Sequence, residues 1–387
     1  MDKKIFAIVG SFAMKPGSGK GVHIFSYEAE TGDLIPLWDA RPEINAGQGA
    51  YDPKRDIHYI THESRDRDGE IGGGGKILSF RLDPVSGEPR FLGETESCGV
   101  LPSYICLDMT GKYALVPHHG SGNVVTKTRR QPDGSFQAVT ESDDGVLSLI
   151  RLLPDGSFGD VCDVDIVDIE RDGRKIRKIP HLHSCVSSPD GKLFLVCDKG
   201  LDRIHSYRLD GENGKLARLE SVFVEEGVHP RYGAFHPTLP VFYQNCENSV
   251  FVHVWQYESG TGKLFWVQKV ALLPDSGAAE DFQGESGADL VLSSDGAALY
   301  LSVRGLNVIS VCAVGEDGRL SLLQTVDCQG KNPRGIAVSL DGRWLYSLNR
   351  DSESITKFRI EGNKLLTPAG IATECCLPGN MRFQEKI

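Results

Sequence analysis

The chain has 387 residues, with 42 Lys and Arg against 53 Asp and Glu, and a net charge of −11. A hydrophobic share of 40% beside 25% charged residues belongs to a folded globular protein, not a disordered one. The acidic balance argues against a nucleic-acid or membrane surface as main partner and leaves room only for a local basic pocket.

The 44 Gly and 19 Pro, spread along the chain, imply many turns and few long helices. The ten Cys include no Cys-x-x-Cys, and Cys375–Cys376 are adjacent, so reduced thiols of a cytoplasmic protein are expected. No run reaches the roughly 18 apolar residues of a membrane helix. At the N-terminus, Lys3–Lys4 and the apolar Ile5–Met14 lead into Lys15–Lys20 rather than a small-residue cleavage site, so the run reads as a strand.

In chain order, a polar turn followed by an apolar run recurs six times. The copies are Asp52–Ile60, Met109–Tyr113, Pro189–Val196, Pro237–Tyr243, Ser294–Leu301 and Leu340–Tyr346. A strand closing on a Gly-containing turn recurs seven times, from Tyr27, Phe80, Ile150, Tyr207, Trp255, Cys312 and Phe358. A short strand, often opening with Pro, precedes each polar turn: Pro102–Ile105, Leu182–Cys185, Pro230–Gly233 and Pro333–Ile336, with looser copies at Ala46–Gly49 and Gly287–Leu290. A seventh copy, Pro378–Phe383, ends the chain without successors, while Ile5–Phe12, Gly21–Tyr27 and Asp33–Asp39 are successors without a first strand.

Together the two ends make one complete unit. Four short strands repeated every ~40–55 residues are the signature of a propeller. The expected fold is all-β: a single seven-bladed β-propeller over 1–387, of four-stranded antiparallel blades, closed by a blade that the N- and C-terminal strands share. Residues 125–146 carry an extra turn and read as an insertion; Gly72–Gly75 reads as a flexible loop and Asp66–Asp68 as a solvated charge run.

Antiparallel pairing brings the start of each inner strand and the end of the next to one mouth of the channel. The second-strand ends are Glu63, His119, Lys199, Glu247, Arg304 and Arg350, all ionisable. The inner-strand starts add His183, Arg231 and Arg334 beside Gly47, Ser103 and Ala288. A cationic funnel on an acidic protein suits a small anionic ligand, because guanidinium groups match phosphate and carboxylate bidentately. His181 and His183 form a candidate metal pair on one strand face but lack an acidic or Cys partner at ligand spacing. Lys15–Gly21 lacks the glycine and Ser/Thr positions of a phosphate loop. No metal or cofactor is expected.

Four stretches, 181–210, 229–237 (HPRYGAFHP), 298–309 (ALYLSVRGLNVI) and 332–360, resemble the lactonase family of seven-bladed propellers, which includes 6-phosphogluconolactonases and a 3-carboxymuconate cyclase. The resemblance spans nearly the whole chain. It implies an active-site set of His183, Arg231, Glu247 (in Tyr243-Gln244-Asn245-Cys246-Glu247) and Arg304 (in Val303-Arg304-Gly305). Cys246 and Val303 stand where the family has Asn, and Tyr104 where many members have His.

The expected activity is hydrolysis of a sugar-acid lactone. Glu247 would be the general base and His183 would orient water or protonate the leaving oxygen. Arg304 or Arg231 would stabilise the oxyanion. Glu63, His119, Lys199, Arg334 and Arg350 would bind substrate, the last two holding a phosphate or carboxylate. The alternatives are a cycloisomerase forming a lactone from a carboxymuconate-type diacid, and a non-catalytic binding propeller.

Overall fold

The recurring polar turns are closed by their own side chains. The Ser188 hydroxyl donates to Asp190 Oδ1 (2.6 Å) and accepts from the Leu193 amide (3.0 Å). Gly191 turns the chain with a left-handed φ of 69°, which a side chain would strain. The same bonds form in Ser293–Ala298 and Ser339–Trp344.

A computed structural model describes residues 4–13, 20–67, 70–275 and 286–385. Its four-stranded antiparallel sheets number seven. Blade 1 comprises Ala46–Asp52, Ile57–His62, Lys76–Leu82 and Pro89–Glu96; blade 2 comprises Cys106–Leu107, Tyr113–Pro117, Gly145–Leu152 and Phe158–Val167. Blades 3 to 6 begin at Leu182, Pro230, Gly287 and Pro333. The closing blade pairs Ile5–Ser11 with Val22–Glu28 on one side and with Pro378–Glu385 on the other, so both chain ends share it as expected. Residues 15–19 of the Lys15–Gly21 run lie outside the described residues.

Second strands such as Tyr113–Pro117 are buried along their whole length, which explains their continuous apolar sequence. Each blade packs a neighbour on both faces, and seven buried apolar clusters fall one to each interface. Ile57 and Tyr59 of blade 1, for example, meet Ala114, Val116 and Ile150 of blade 2. Tyrosine hydroxyls reinforce five of these junctions. Tyr59, Tyr113, Tyr243, Tyr300 and Tyr346 donate to the carbonyls of Gly156, Gly211, Gly318, Lys364 and Gly32 in the next blade, at 2.7–3.1 Å.

Two sequence readings change. The extra turn closes a hairpin of Val124–Arg130 with Phe136–Ser142, whereas Gly145 and Val146 belong to the third strand of blade 2. Gly72 and Gly73 are not loop: Asp66–Arg67 pairs antiparallel with Glu70–Gly73, while Asp68 lies outside the described residues.

Met381, on the C-terminal strand, is buried in the cluster that joins blade 6 to the closing blade. Met381→Ala should cost about 2–4 kcal/mol in urea-induced unfolding; a cost below roughly 0.5 kcal/mol would mean that this strand does not hold the ring.

Candidate active site at the channel mouth

Inner strands do not enter the channel mouth as regular strands. In blade 3 the pairs Leu182↔Asp198 and Ser184↔Cys197 leave His183 as an extra residue. Arg334 is extra in the same way between Pro333↔Asn349 and Gly335↔Leu348. Arg231 and Tyr232 bulge opposite Asn245, and Gly47 and Gln48 opposite Thr61. A bulge bends the strand and re-aims the side chain it carries. Four of these strands are entered through a residue at left-handed φ immediately before proline: Leu101, His229, Asn332 and Leu377, at 56°, 56°, 59° and 46°.

All nine residues singled out from sequence line one cavity of ≈570 Å³: Glu63, His119, His183, Lys199, Arg231, Glu247, Arg304, Arg334 and Arg350. Phe12 of the closing blade lines it too, its ring 3.7 Å from the Arg334 guanidinium carbon. An open groove of ≈970 Å³ adjoins the cavity, sharing His119, Lys199 and Glu247, and runs past Lys175–Ile179.

Glu247 is the electrostatic centre. Lys199 Nζ pairs with its Oε2, Arg231 Nε lies 3.6 Å from Oε2, and Arg304 Nη2 donates to Oε1 at 2.9 Å. Buried Asx side chains set these partners. Asp198 accepts the amides of His181, Gly200 and Leu201 around Lys199. Asp202 accepts the His229 amide (2.9 Å) ahead of Arg231, and Asn245 accepts the Tyr232 amide (2.9 Å) behind it. The Ser286 amide donates to the Glu247 carbonyl and the Arg304 amide to the Ser286 carbonyl, fixing the two loops together.

The two carboxylates of the cavity are driven apart. Burial alone would raise the Glu247 carboxyl, but Lys199, Arg231 and Arg304 hold it well below the usual carboxylate range. Burial pushes Glu63 up to about 7 against the opposing pull of Arg334, Arg231 and Lys199. Burial, assisted by Arg231 and Lys199, keeps His183 well below the usual imidazole range, and burial with Lys199 does the same to His119. Both imidazoles are therefore neutral at pH 7. Burial and Arg231 lower Arg334 to about 10.

Glu247 is consequently ill-suited to the general-base role expected of it, since both its oxygens hold cations and its basicity is low. Arg350 donates to Asp351 Oδ1 at 2.8 Å, whereas Arg334 lines a small cavity with Glu63 and His183. The candidate metal pair does not share a regular strand face. His183 is the bulged residue, and the His181 ring stacks on His119 at 4.6 Å with its Nδ1 against the His119 carbonyl. No group of three or more metal-ligating side chains occurs among the described residues.

Sequence reasoning passed over Tyr232, whose ring meets His183 edge-on at 4.9 Å and the Arg231 guanidinium at 4.5 Å. It also passed over Asp198, Asp202 and Phe12. The Asx residues preceding Lys199 and Arg350 were the available signal: Asp198 and Asn349 end buried strands.

Glu247→Gln strips a shared counter-charge from three buried cations and should destabilise the fold by about 3–5 kcal/mol in urea at pH 7. A carboxyl depressed in the folded state contributes stability above its unfolded value of about 4.3 and loses it as pH falls further, so the gap between variant and wild type should close in acid. Equal urea midpoints at pH 7 would show that the cations are solvated.

Comparison with known proteins accords with this architecture. A curated 6-phosphogluconolactonase of Formosa agariphila is 27% identical over 367 residues, covering 92% of this chain and 93% of the relative. The structure of the Pseudomonas aeruginosa periplasmic gluconolactonase superposes with a TM-score of 0.81 at 25% identity, covering 98% of this chain and 99% of that one. A Lactobacillus plantarum protein, 19% identical with a TM-score of 0.79 over 99% of this chain and 100% of its own, shares the fold. The model of the lactonase family of seven-bladed β-propellers matches residues 6–375, and the chain belongs to that family.

Proposed function

We propose that the channel mouth hydrolyses a sugar-acid lactone bearing an anionic group, with a 6-phosphogluconolactonase-like preference. The observation that carries this reading is the Glu247 cluster. One carboxylate holds Lys199, Arg231 and Arg304 at the wall of a ≈570 Å³ cavity that also contains two neutral imidazoles. Lactone opening develops negative charge on the carbonyl oxygen, and donors fixed beforehand stabilise it without reorganising. Arg304 or Arg231 supplies that donor, and Glu247 keeps both in place. Neutral His183 orients water or relays a proton to the ring oxygen. Arg350, with Lys199 and His119, faces the anionic part of the substrate. The names of the Formosa and Pseudomonas relatives support a sugar-acid lactone as substrate class.

No metal or organic cofactor enters this scheme. Ten unpaired thiols favour a reducing compartment, and the cytoplasm is the proposed location. Among the described residues no helix is long and apolar enough to cross a membrane.

The test is turnover of a panel of phosphorylated sugar lactones, sugar-acid lactones and muconates, corrected for spontaneous hydrolysis. Hydrolysis of a phosphorylated δ-lactone is the expected result. Arg304→Ala should lower kcat/KM by about 10²–10³-fold, the loss of one good oxyanion donor. Turnover of muconates alone would favour the cycloisomerase, and ligand binding without any turnover would favour a binding propeller.

A further inference from the structure

Resting on the lactonase reading, we propose that Glu63 is the general base of the reaction, taking the proton from a water held between its carboxylate, His183 and Arg334. Adjoining the main cavity is a second one of ≈10 Å³, room for about one water, whose wall includes Glu63, His183, Arg334, Tyr232 and Gly47. Glu63, His183 and Arg334 line both cavities, so this site opens onto the space where a lactone would sit. A Cβ on Gly47 would stand 3.3 Å from Glu63 Oε2 and 2.3 Å from Thr61 Oγ1, so the bulge at Gly47 leaves the carboxylate its room.

The wall also offers unused hydrogen-bonding capacity. His183 Nδ1 and Arg334 Nε are buried with no partner among the described residues. Among those residues no hydrogen bond or ion pair holds the Glu63 carboxylate either, although its backbone is pinned by Asn45, whose Nδ2 donates to the Glu63 carbonyl at 3.0 Å. Glu247, by contrast, has both oxygens engaged by cations. Basicity follows the same division: burial places Glu63 at about 7, where a carboxylate both accepts and returns a proton at neutral pH, while Glu247 lies far lower. The charged and titratable groups that share a cavity wall with Glu63 are His62, Arg65, His119, His183, Lys199, Arg231, Tyr232, Glu247, Arg304, Arg334 and Arg350.

The water oxygen adds to the lactone carbonyl carbon while one of its protons passes to Glu63. Collapse of the tetrahedral intermediate breaks the bond from carbonyl carbon to ring oxygen, and the proton on Glu63 goes to that oxygen, directly or through His183. The second water proton leaves the new carboxyl for solvent, giving an open-chain hydroxy-carboxylate.

The experiment compares Glu63→Gln with wild type on the panel lactone that wild type hydrolyses. kcat should fall about 100-fold, with KM, thermal midpoint and affinity for 6-phosphogluconate within threefold or a few degrees of wild type. The wild-type rate should decline on the acid side with an apparent pKa near 7, as Glu63 is protonated. That limb should vanish from the residual activity of Glu63→Gln. It should persist in Glu63→Asp, which keeps the charge, and in Glu247→Gln. A fall in kcat below tenfold, a surviving acid limb in Glu63→Gln, or a parallel loss of 6-phosphogluconate affinity would overturn the assignment while leaving the lactonase reading intact. A wild type that opens no lactone would overturn both.

Discussion

The site depends on a small irregularity repeated around a ring. Where the inner strands of blades 3, 4 and 6 begin, one or two extra residues oppose a single residue of the next strand, and the side chains carried there include His183, Arg231 and Arg334. A regular strand would alternate these side chains between the two faces of a blade, where neighbouring blades pack. The bulge breaks the alternation at the one level where the chain meets the channel. Left-handed residues before Pro230, Pro333 and Pro378 deliver the chain into that bend. Because the same distortion recurs around the ring, its products converge on one pore although His183, Arg231 and Arg334 lie far apart in sequence.

Convergence of Lys199, Arg231 and Arg304 in a buried space would be unfavourable without a counter-charge, and Glu247 supplies it. Its cost in desolvation is offset by three ion pairs, which explains why it remains ionised at 6% residue exposure. Glu63 enters the same cavity from blade 1, across the channel from that cluster, and feels the cations without touching them. Two chemically identical side chains thus acquire opposite characters: one a fixed anion that organises guanidinium groups, the other a carboxyl poised near neutrality. Separating the titrations of two carboxylates within one cavity is how acid and base roles are assigned in hydrolytic sites generally.

The ring, its closing blade and the nine mouth residues were legible in sequence because they follow from spacing. Polar turns at Asp190, Asp295 and Asp341 are marked by residue type, and counting from them reaches Lys199, Arg304 and Arg350 without further information. The division of labour between Glu63 and Glu247 was not legible. It depends on Lys199 of blade 3 and Arg304 of blade 5 both reaching Glu247, and no pattern along the chain encodes which carboxylate captures which cation. Bulges were hidden for a related reason: an extra residue in one strand is visible only against the register of its partner. The hairpin Val124–Ser142 was signalled by its turn, but its boundary with Gly145 was blurred because apolar Val146 and Leu147 continue the local composition of Val139.

Ring closure and chemistry meet at the same place. Asn380, on the last strand, donates to the Gly47 carbonyl at the bulge beside Glu63, and Asn45 accepts the Ala13 amide at 2.8 Å while holding the Glu63 carbonyl. The Phe12 amide donates to the Leu377 carbonyl at 2.9 Å, and its ring covers the Arg334 guanidinium. Both chain ends therefore wall the small cavity that Glu63, His183 and Arg334 share. A fraying of the C-terminal strand would loosen the Glu63 side of the pore while the Glu247 cluster, built from blades 3 to 5, stayed whole. The half of the site that organises charge is thus carried by uninterrupted blades, and the half that would handle the proton is assembled only when the ring closes.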